Sequence, residues 1–449
     1  RAGFCRSRRK RATMVPSPSR RGLLAGLGGL LTGSTVAVGA TAPTLLPDVL
    51  TDEATKHYPT PPEVRDLWRP TVTETHAREA VELLAETEQA GERLWARTDT
   101  DRPFTGAGGW LEDAREALSA GNYAEALRNA GTGLRFAGEQ LGAARARLGR
   151  VDLRELGERG VTLLDRADTV STDLEPYPAS KPGRDLGWYY AIERQLVVAR
   201  FTLDRETLSA LADEGADAAV DVTADDPGGV GRLTARLLSA RLRVRAAERY
   251  RERHRDLLAE AETTPFRAHL DGVDESFRAA IESFPSRQAV RAEYVGEDVR
   301  TPHDFAHSLL VRSCFDYDYR FGDDEASDLP VYRVVSRSTG LAQRRAHGFA
   351  VEQLVIDETD AGFDSGHVLA EKRRAREVYR SVVGREPPAL LTRQIPRAVE
   401  DLQVAVVGFA GGYRRPLWRE RVEAYCYALL GRAKLRAYPN LYDRIVEVG

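Results

Sequence analysis

The 449-residue chain has one methionine, three cysteines and eight histidines, and lysine only at Lys10, Lys56, Lys181, Lys372 and Lys434. So few cysteines exclude a disulfide-framed scaffold. After residue 42 no apolar run approaches the roughly 18 residues that a membrane-spanning helix requires. The segment Leu402 to Gly412, LQVAVVGFAGG, is too short to span and reads as a buried helix. There is no phosphate-binding G-x-x-x-x-G-K-S/T, no G-x-G-x-x-G opening a helix, no G-x-S-x-G elbow and no C-x-x-C. Those absences remove the readiest signatures of nucleotide binding, serine hydrolysis and dithiol chemistry. Gly106 to Gly109 follows no strand pattern and reads as a loop.

What is present begins with SRRGLLAGLGGLL at 19 to 31. Arg20 and Arg21 precede a Gly-rich, modestly apolar run to Ala42 that ends in the small residues Val38-Gly39-Ala40-Thr41-Ala42. A charged start, an apolar middle and an A-x-A-like end describe a signal peptide. Ser19-Arg20-Arg21-Gly22-Leu23-Leu24 resembles the twin-arginine export family, which implies that Arg20 and Arg21 are read by an export machinery that carries folded cargo. The alternative is an uncleaved N-terminal membrane anchor. Met14 stands just ahead of this segment and reads as the start, with residues 1 to 13 as upstream translation.

Residues 1 to 42 hold eight basic residues and no acidic ones, so the rest of the chain has 57 basic against 68 acidic residues, a balance of −11. Acid excess with scarce lysine resembles haloarchaeal proteins, whose negative charge keeps them soluble in strong salt. With no basic stripe left to neutralise phosphates, the charge argues against nucleic acid as a partner, the alternative being a basic nucleic-acid-binding arm at residues 1 to 13.

Residues 43 to 72 are rich in proline and read as a stiff, extended linker. Helical periodicity dominates beyond it. Leu127, Ala130, Leu134, Ala137, Leu141, Ala144 and Leu148 fall on one stripe at steps of three and four. Leu156, Gly160, Leu163, Ala167, Val170 and Leu174 repeat the pattern, with Gly149 as the stop and Asp152 as the N-cap between the two. Tyr189, Ile192, Leu196, Ala199 and Leu203 mark a third helix. The stretch WLEDAREALSAGNYAEAL at 110 to 127 resembles one tetratricopeptide hairpin, without the 34-residue repeat that would imply a peptide groove. The predicted fold is all-α: a helical bundle at 73 to 222, a boundary in TADDPGGVG at 223 to 231, and a second helical domain at 232 to 449. That second part carries eleven of the sixteen tyrosines and six of the eight histidines. Its charged stretch RLRVRAAERYRERHRDLL, 241 to 258, reads as a solvated face.

Three candidate sites lie in the second part. His303-Asp304-Phe305-Ala306-His307 follows Thr301-Pro302, a helix start, so the two histidines share one face four residues apart. The motif resembles H-E-x-x-H zinc metalloproteases, with Asp304 in the place of the general-base Glu, and implies zinc as a cofactor. A third ligand would come from His347, His367 or Glu371, and the competing reading is a packing face. Cys314 and Cys426 are a candidate disulfide, the alternative being two buried thiols. The acidic run Asp316, Asp318, Asp323, Asp324 and Glu325 fails the calcium-loop spacing and reads as a solvated loop.

The sequence thus predicts an exported interaction or scaffold protein at the cell surface or outside the cell, with a protein partner and a membrane contact only through an uncleaved N-terminus. The rival expectation is a zinc-dependent hydrolase with its site in the C-terminal domain.

Overall fold

The computed structural model describes residues 43–448 except 60, 63–66, 219, 297, 316–325, 359–361 and 408–415. The signal segment with Arg20 and Arg21, the acidic run at 316 to 325 and the end of the LQVAVVGFAGG stretch lie outside the described residues.

The fold is all-α, with one antiparallel strand pair among the described residues, Pro178–Ala179 against Thr264–Pro265. The first group of helices comprises α2 (Glu74–Trp95), α3 (Gly108–Ser119), α4 (Tyr123–Arg147), α5 (Leu153–Thr172), α6 (Pro182–Thr202), α7 (Arg205–Glu214) and α8 (Pro227–Leu258). Helix α4 lies at its centre, packed by α2, α3 and α8. Its stripe residues Ala130, Leu134, Ala137, Leu141 and Ala144 are all buried, as the periodicity requires. Helix α5 starts where Asp152 accepts a hydrogen bond from the Glu155 N–H, just after Gly149 turns the chain with φ +61°. A glycine suits that left-handed turn because it has no Cβ to clash.

The α4–α8 contact depends on missing side chains. A Cβ on Gly142 would lie 2.6 Å from the Val230 carbonyl oxygen, and one on Gly231 would lie 2.8 Å from the Glu139 oxygen. The two backbones therefore meet directly. This overturns the reading of TADDPGGVG as an inter-domain boundary. Asp226 caps α8 by accepting from the Gly228 and Gly229 N–H groups, Pro227 is the first helical residue, and Gly231 is a packing surface. Proline at a helix start and glycine at a close helix crossing mimic loop composition.

The second group contains α9 (Arg267–Glu282), α10 (Arg287–Tyr294), α11 (Pro302–Phe315), α12 (Pro330–Gln353), α13 (Ser365–Val383), the single turn α14 (Leu391–Gln394), α15 (Pro396–Val407) and α16 (Leu417–Val446). Helix α16 is its axis, against α11, α12, α13 and α15. It runs through Pro439 without a break. Buried Tyr438, Leu441 and Ile445 hold the last turns to the core. Val404 and Val407 of α15 are partly exposed, so that helix is only half buried.

The proline-rich linker is also corrected. Residues Asp48–Lys56 form a helix, α1, that docks on α13. Thr51 meets Ser365 side chain to side chain, and Arg421 pairs with Asp48 at 2.9 Å and Asp52 at 2.8 Å. The Lys372 ammonium donates to the Thr55 carbonyl at 3.2 Å, and burial lowers its pKa to about 7. Small polar threonines make this contact, which is why no apolar stripe announces it.

The two groups are joined through one face of α6. Glu193, fully buried, accepts from the backbone N–H groups of Val331 and Tyr332 and so caps α12 from another helix. Seven residues on, Arg200 reaches Asp328 at 2.6 Å and Asp168 at 2.9 Å.

Candidate functional site

Helices α2 and α5 both lie on the α4–α8 layer, and a groove opens between them. Its larger part is a cavity of about 610 Å³. Leu141 of α4 and Thr234 and Leu237 of α8 form the floor; Leu83 of α2 and Leu156 and Leu163 of α5 form the walls. The groove continues into a second cavity of about 380 Å³ that shares Leu83, Glu86 and Arg241 and reaches His76 and Arg245. At the floor, the Thr234 hydroxyl is buried with no hydrogen-bond partner.

The charged lining residues carry both signs. Arg159 pairs with Glu155 at 2.5 Å and Arg166 with Glu248 at 2.7 Å. Arg245 bridges Glu79 at 3.0 Å and Glu248 at 3.2 Å. Arg145 is half-buried; burial lowers its pKa, and the like charge of Arg159 adds to that. At the far end His76 is held neutral, burial pushing its pKa down to about 4, and its ring meets Tyr250 edge-on at 5.6 Å. Among the described lining residues of the larger cavity there is no cysteine or histidine. An apolar trough with a rim of mixed sign suits the apolar face of an amphipathic helix.

The sequence missed this groove. Arg241 and Arg245, read as part of a solvated face, form its rim. Ion pairs from Arg245 and Arg249 to Glu79 tie that face to α2.

The sequence-predicted metal residues divide. His303 and His307 come together with their Nε2 atoms 3.2 Å apart. His307 is buried and stacks on Tyr294 at 5.4 Å. His347 touches the same tyrosine ring at 5.3 Å, so Tyr294 contacts both histidines. Burial lowers the pKa of His307 and brings that of His347 to about 4. Asp304 does not stand ready as a base. Its carboxylate accepts the Thr301 N–H at 3.1 Å while its own N–H donates to the Thr301 hydroxyl at 3.1 Å, a reciprocal helix cap.

The other proposed ligands are engaged elsewhere. His367 caps α13 with Asp364 at 2.8 Å, and Glu371 is buried against Arg432. Among the described residues no three His, Cys, Asp or Glu side chains assemble around one point. A catalytic zinc centre ordinarily uses three protein ligands, and the three-ligand set is not formed here. Cys314 and Cys426 share one apolar cluster but are free, buried thiols, so the candidate disulfide is not made. Burial raises the Cys314 pKa to about 12 and that of Cys426 further, which keeps both unreactive.

With the geometry in place, comparison with known families divides the chain in two. A family model for a domain of unknown function, DUF8262, matches residues 75–261, and another, DUF8264, matches residues 263–447. No curated protein and no solved structure matches the chain. The matched segments meet just after α8 ends at Leu258, so α2 to α8 fall to the first family model and α9 to α16 to the second. Glu193 and Arg200 therefore bridge from one matched segment to the other.

Proposed function

We propose that the protein is an exported helical interaction module, at the cell surface or outside the cell, that seats an amphipathic helix of a protein partner between α2 and α5. The observation that supports this is the apolar trough of about 610 Å³ with both charge signs at its rim. Leucines from four helices supply area for burial, worth about 25 cal/mol per Å² of apolar surface removed from water. The paired rim arginines set register and orientation more than affinity. Because Glu155, Glu79 and Glu248 already hold several of these arginines, the rim stays ordered without a ligand.

Leu83 and Leu238 are only partly buried, which makes them usable probes of the trough. Leu83→Glu and Leu238→Glu, each made in the full chain, should leave the helical circular dichroism intact. Each should abolish retention of the partner in a pull-down from the native envelope at high salt. Retention by both folded variants at the wild-type level removes the groove from the reading. Export is tested separately: Arg20→Lys with Arg21→Lys keeps the charge and removes the guanidinium pair. The double variant should accumulate inside the cell, and normal secretion would sink the twin-arginine route.

A further inference from the structure

We propose that His303 and His307 form a two-imidazole chelate for a divalent cation of the copper, nickel and zinc group, with the remaining coordination positions open to solvent. The separation carries the argument. With metal–nitrogen bonds of about 2.0–2.1 Å, two nitrogens 3.2 Å apart subtend an angle at the metal of roughly 100°, within reach of tetrahedral or cis square-planar coordination. The pair already stands at that separation, so chelation asks the two rings to turn toward a shared ion and not to travel.

Both rings are held from behind. The Thr301–Asp304 cap and Pro302 fix the first turn of α11, from which His303 projects. His307 is fixed one turn on by its stack against Tyr294 and by burial of the helix face that carries Leu310 and Cys314. His303 is only partly buried, which leaves a path from solvent to the facing nitrogens. An all-imidazole donor set selects the later first-row divalent ions over calcium and magnesium, which require oxygen ligands. With copper favoured by the general affinity order, Cu²⁺ should bind most tightly and Zn²⁺ more weakly. The site is a chelate with exchangeable positions, distinct from the three-ligand hydrolytic centre.

The test uses the full chain, free of any affinity tag and stripped of metal with a chelator. Cu²⁺ is titrated and followed by electron paramagnetic resonance, with Zn²⁺ followed by calorimetry. The wild type should take up one equivalent of Cu²⁺ showing two equatorial nitrogens, unaffected by excess Ca²⁺ or Mg²⁺. His303→Ala and His307→Ala should each lose that equivalent or weaken it by about tenfold or more, since even supporting groups of a metal site are worth about 10–100-fold. If His307→Ala fails to fold, the partly exposed His303→Ala decides alone. No Cu²⁺ uptake by the wild type, or equal uptake by His303→Ala, overturns the proposal and leaves a histidine–histidine hydrogen bond.

Discussion

Where α4 meets α8, Gly138, Gly142 and Gly231 let two backbones touch, and a Cβ at any of them would come within 2.8 Å of backbone atoms of the facing helix. Where α16 meets its neighbours, the contact includes long charged side chains. Lys434 is 1% exposed and reaches Asp401 at 2.6 Å; Arg432 is buried against Glu371. The first region is specified by what cannot be added. The second is specified by what cannot be removed, because a buried charge that loses its partner keeps its desolvation cost. The α4–α8 crossing is therefore weak to added volume, and the Lys434 and Arg432 contacts of α16 are weak to lost charge.

The largest effect should come from Asp401→Ala, which strands the Lys434 ammonium in the core and should cost about 3–5 kcal/mol in urea unfolding. Asp401→Leu combined with Lys434→Met should recover most of that loss. A double variant no more stable than the single one would show that packing, not charge, holds α15 to α16.

Gly142→Ala comes next. Helix propensity alone favours alanine by roughly 1 kcal/mol. The incoming Cβ, however, would sit 2.5 Å from the Thr234 hydroxyl and 2.6 Å from the Val230 oxygen. Overpacking should prevail, with a net loss of about 1–3 kcal/mol. Gly272 on α9 has nothing within 4 Å of the place an alanine methyl would take, so Gly272→Ala should instead stabilise by roughly 0.5–1 kcal/mol. Shifts of the same sign at both positions would break the contrast between the closed α4–α8 crossing and the open face of α9.

The junction between the halves gives a pH signature. Burial raises the Glu193 pKa to about 8, although the backbone N–H groups of Tyr332 and Val331 favour its ionised form and oppose the rise. The unfolded chain ionises this group near its ordinary value of 4.5, so between about 4.5 and 8 the folded state holds the extra proton. Stability from this group is complete below that window and falls as pH rises through it. Glu193→Gln keeps a carbonyl oxygen for the α12 cap and cannot ionise. The stability difference between wild type and variant should move steadily against the wild type from pH 5 to 8. A difference that stays constant across the window would mean that Glu193 is ionised in the folded protein throughout.

Much of the helical order is legible in the sequence because it is local. The Leu127 to Leu148 stripe, the Gly149 stop and the Asp152 cap all stand as the spacing predicts. Thr301-Pro302-His303-Asp304 likewise shows its helix start directly. What stays hidden is what depends on a second segment. Helix α1 docks through threonines, with no apolar period to show it. Gly228, Gly229 and Gly231 look like a linker until α4 is seen to need Gly231 bare. The groove is harder still, since it exists because α2 and α5 stay apart, and no pattern within either helix encodes a gap. Of the candidate site, the histidine pair follows from its spacing. That His367 and Glu371 are engaged elsewhere is a property of Asp364 and Arg432, the second of them distant in sequence.

The most direct test of the interaction reading is site-specific photocrosslinking. Cys314 and Cys426 are buried, so with Cys5→Ser in place a new surface cysteine can be labelled selectively. Glu86→Cys places the label on the groove rim, and Glu112→Cys places it on an exposed position of α3 away from the groove. The account predicts a discrete crosslink to one protein from the native envelope at position 86, lost when Leu238→Glu is added, and none at 112. Equal crosslinking at both positions, or a product at 86 that survives Leu238→Glu, would contradict it.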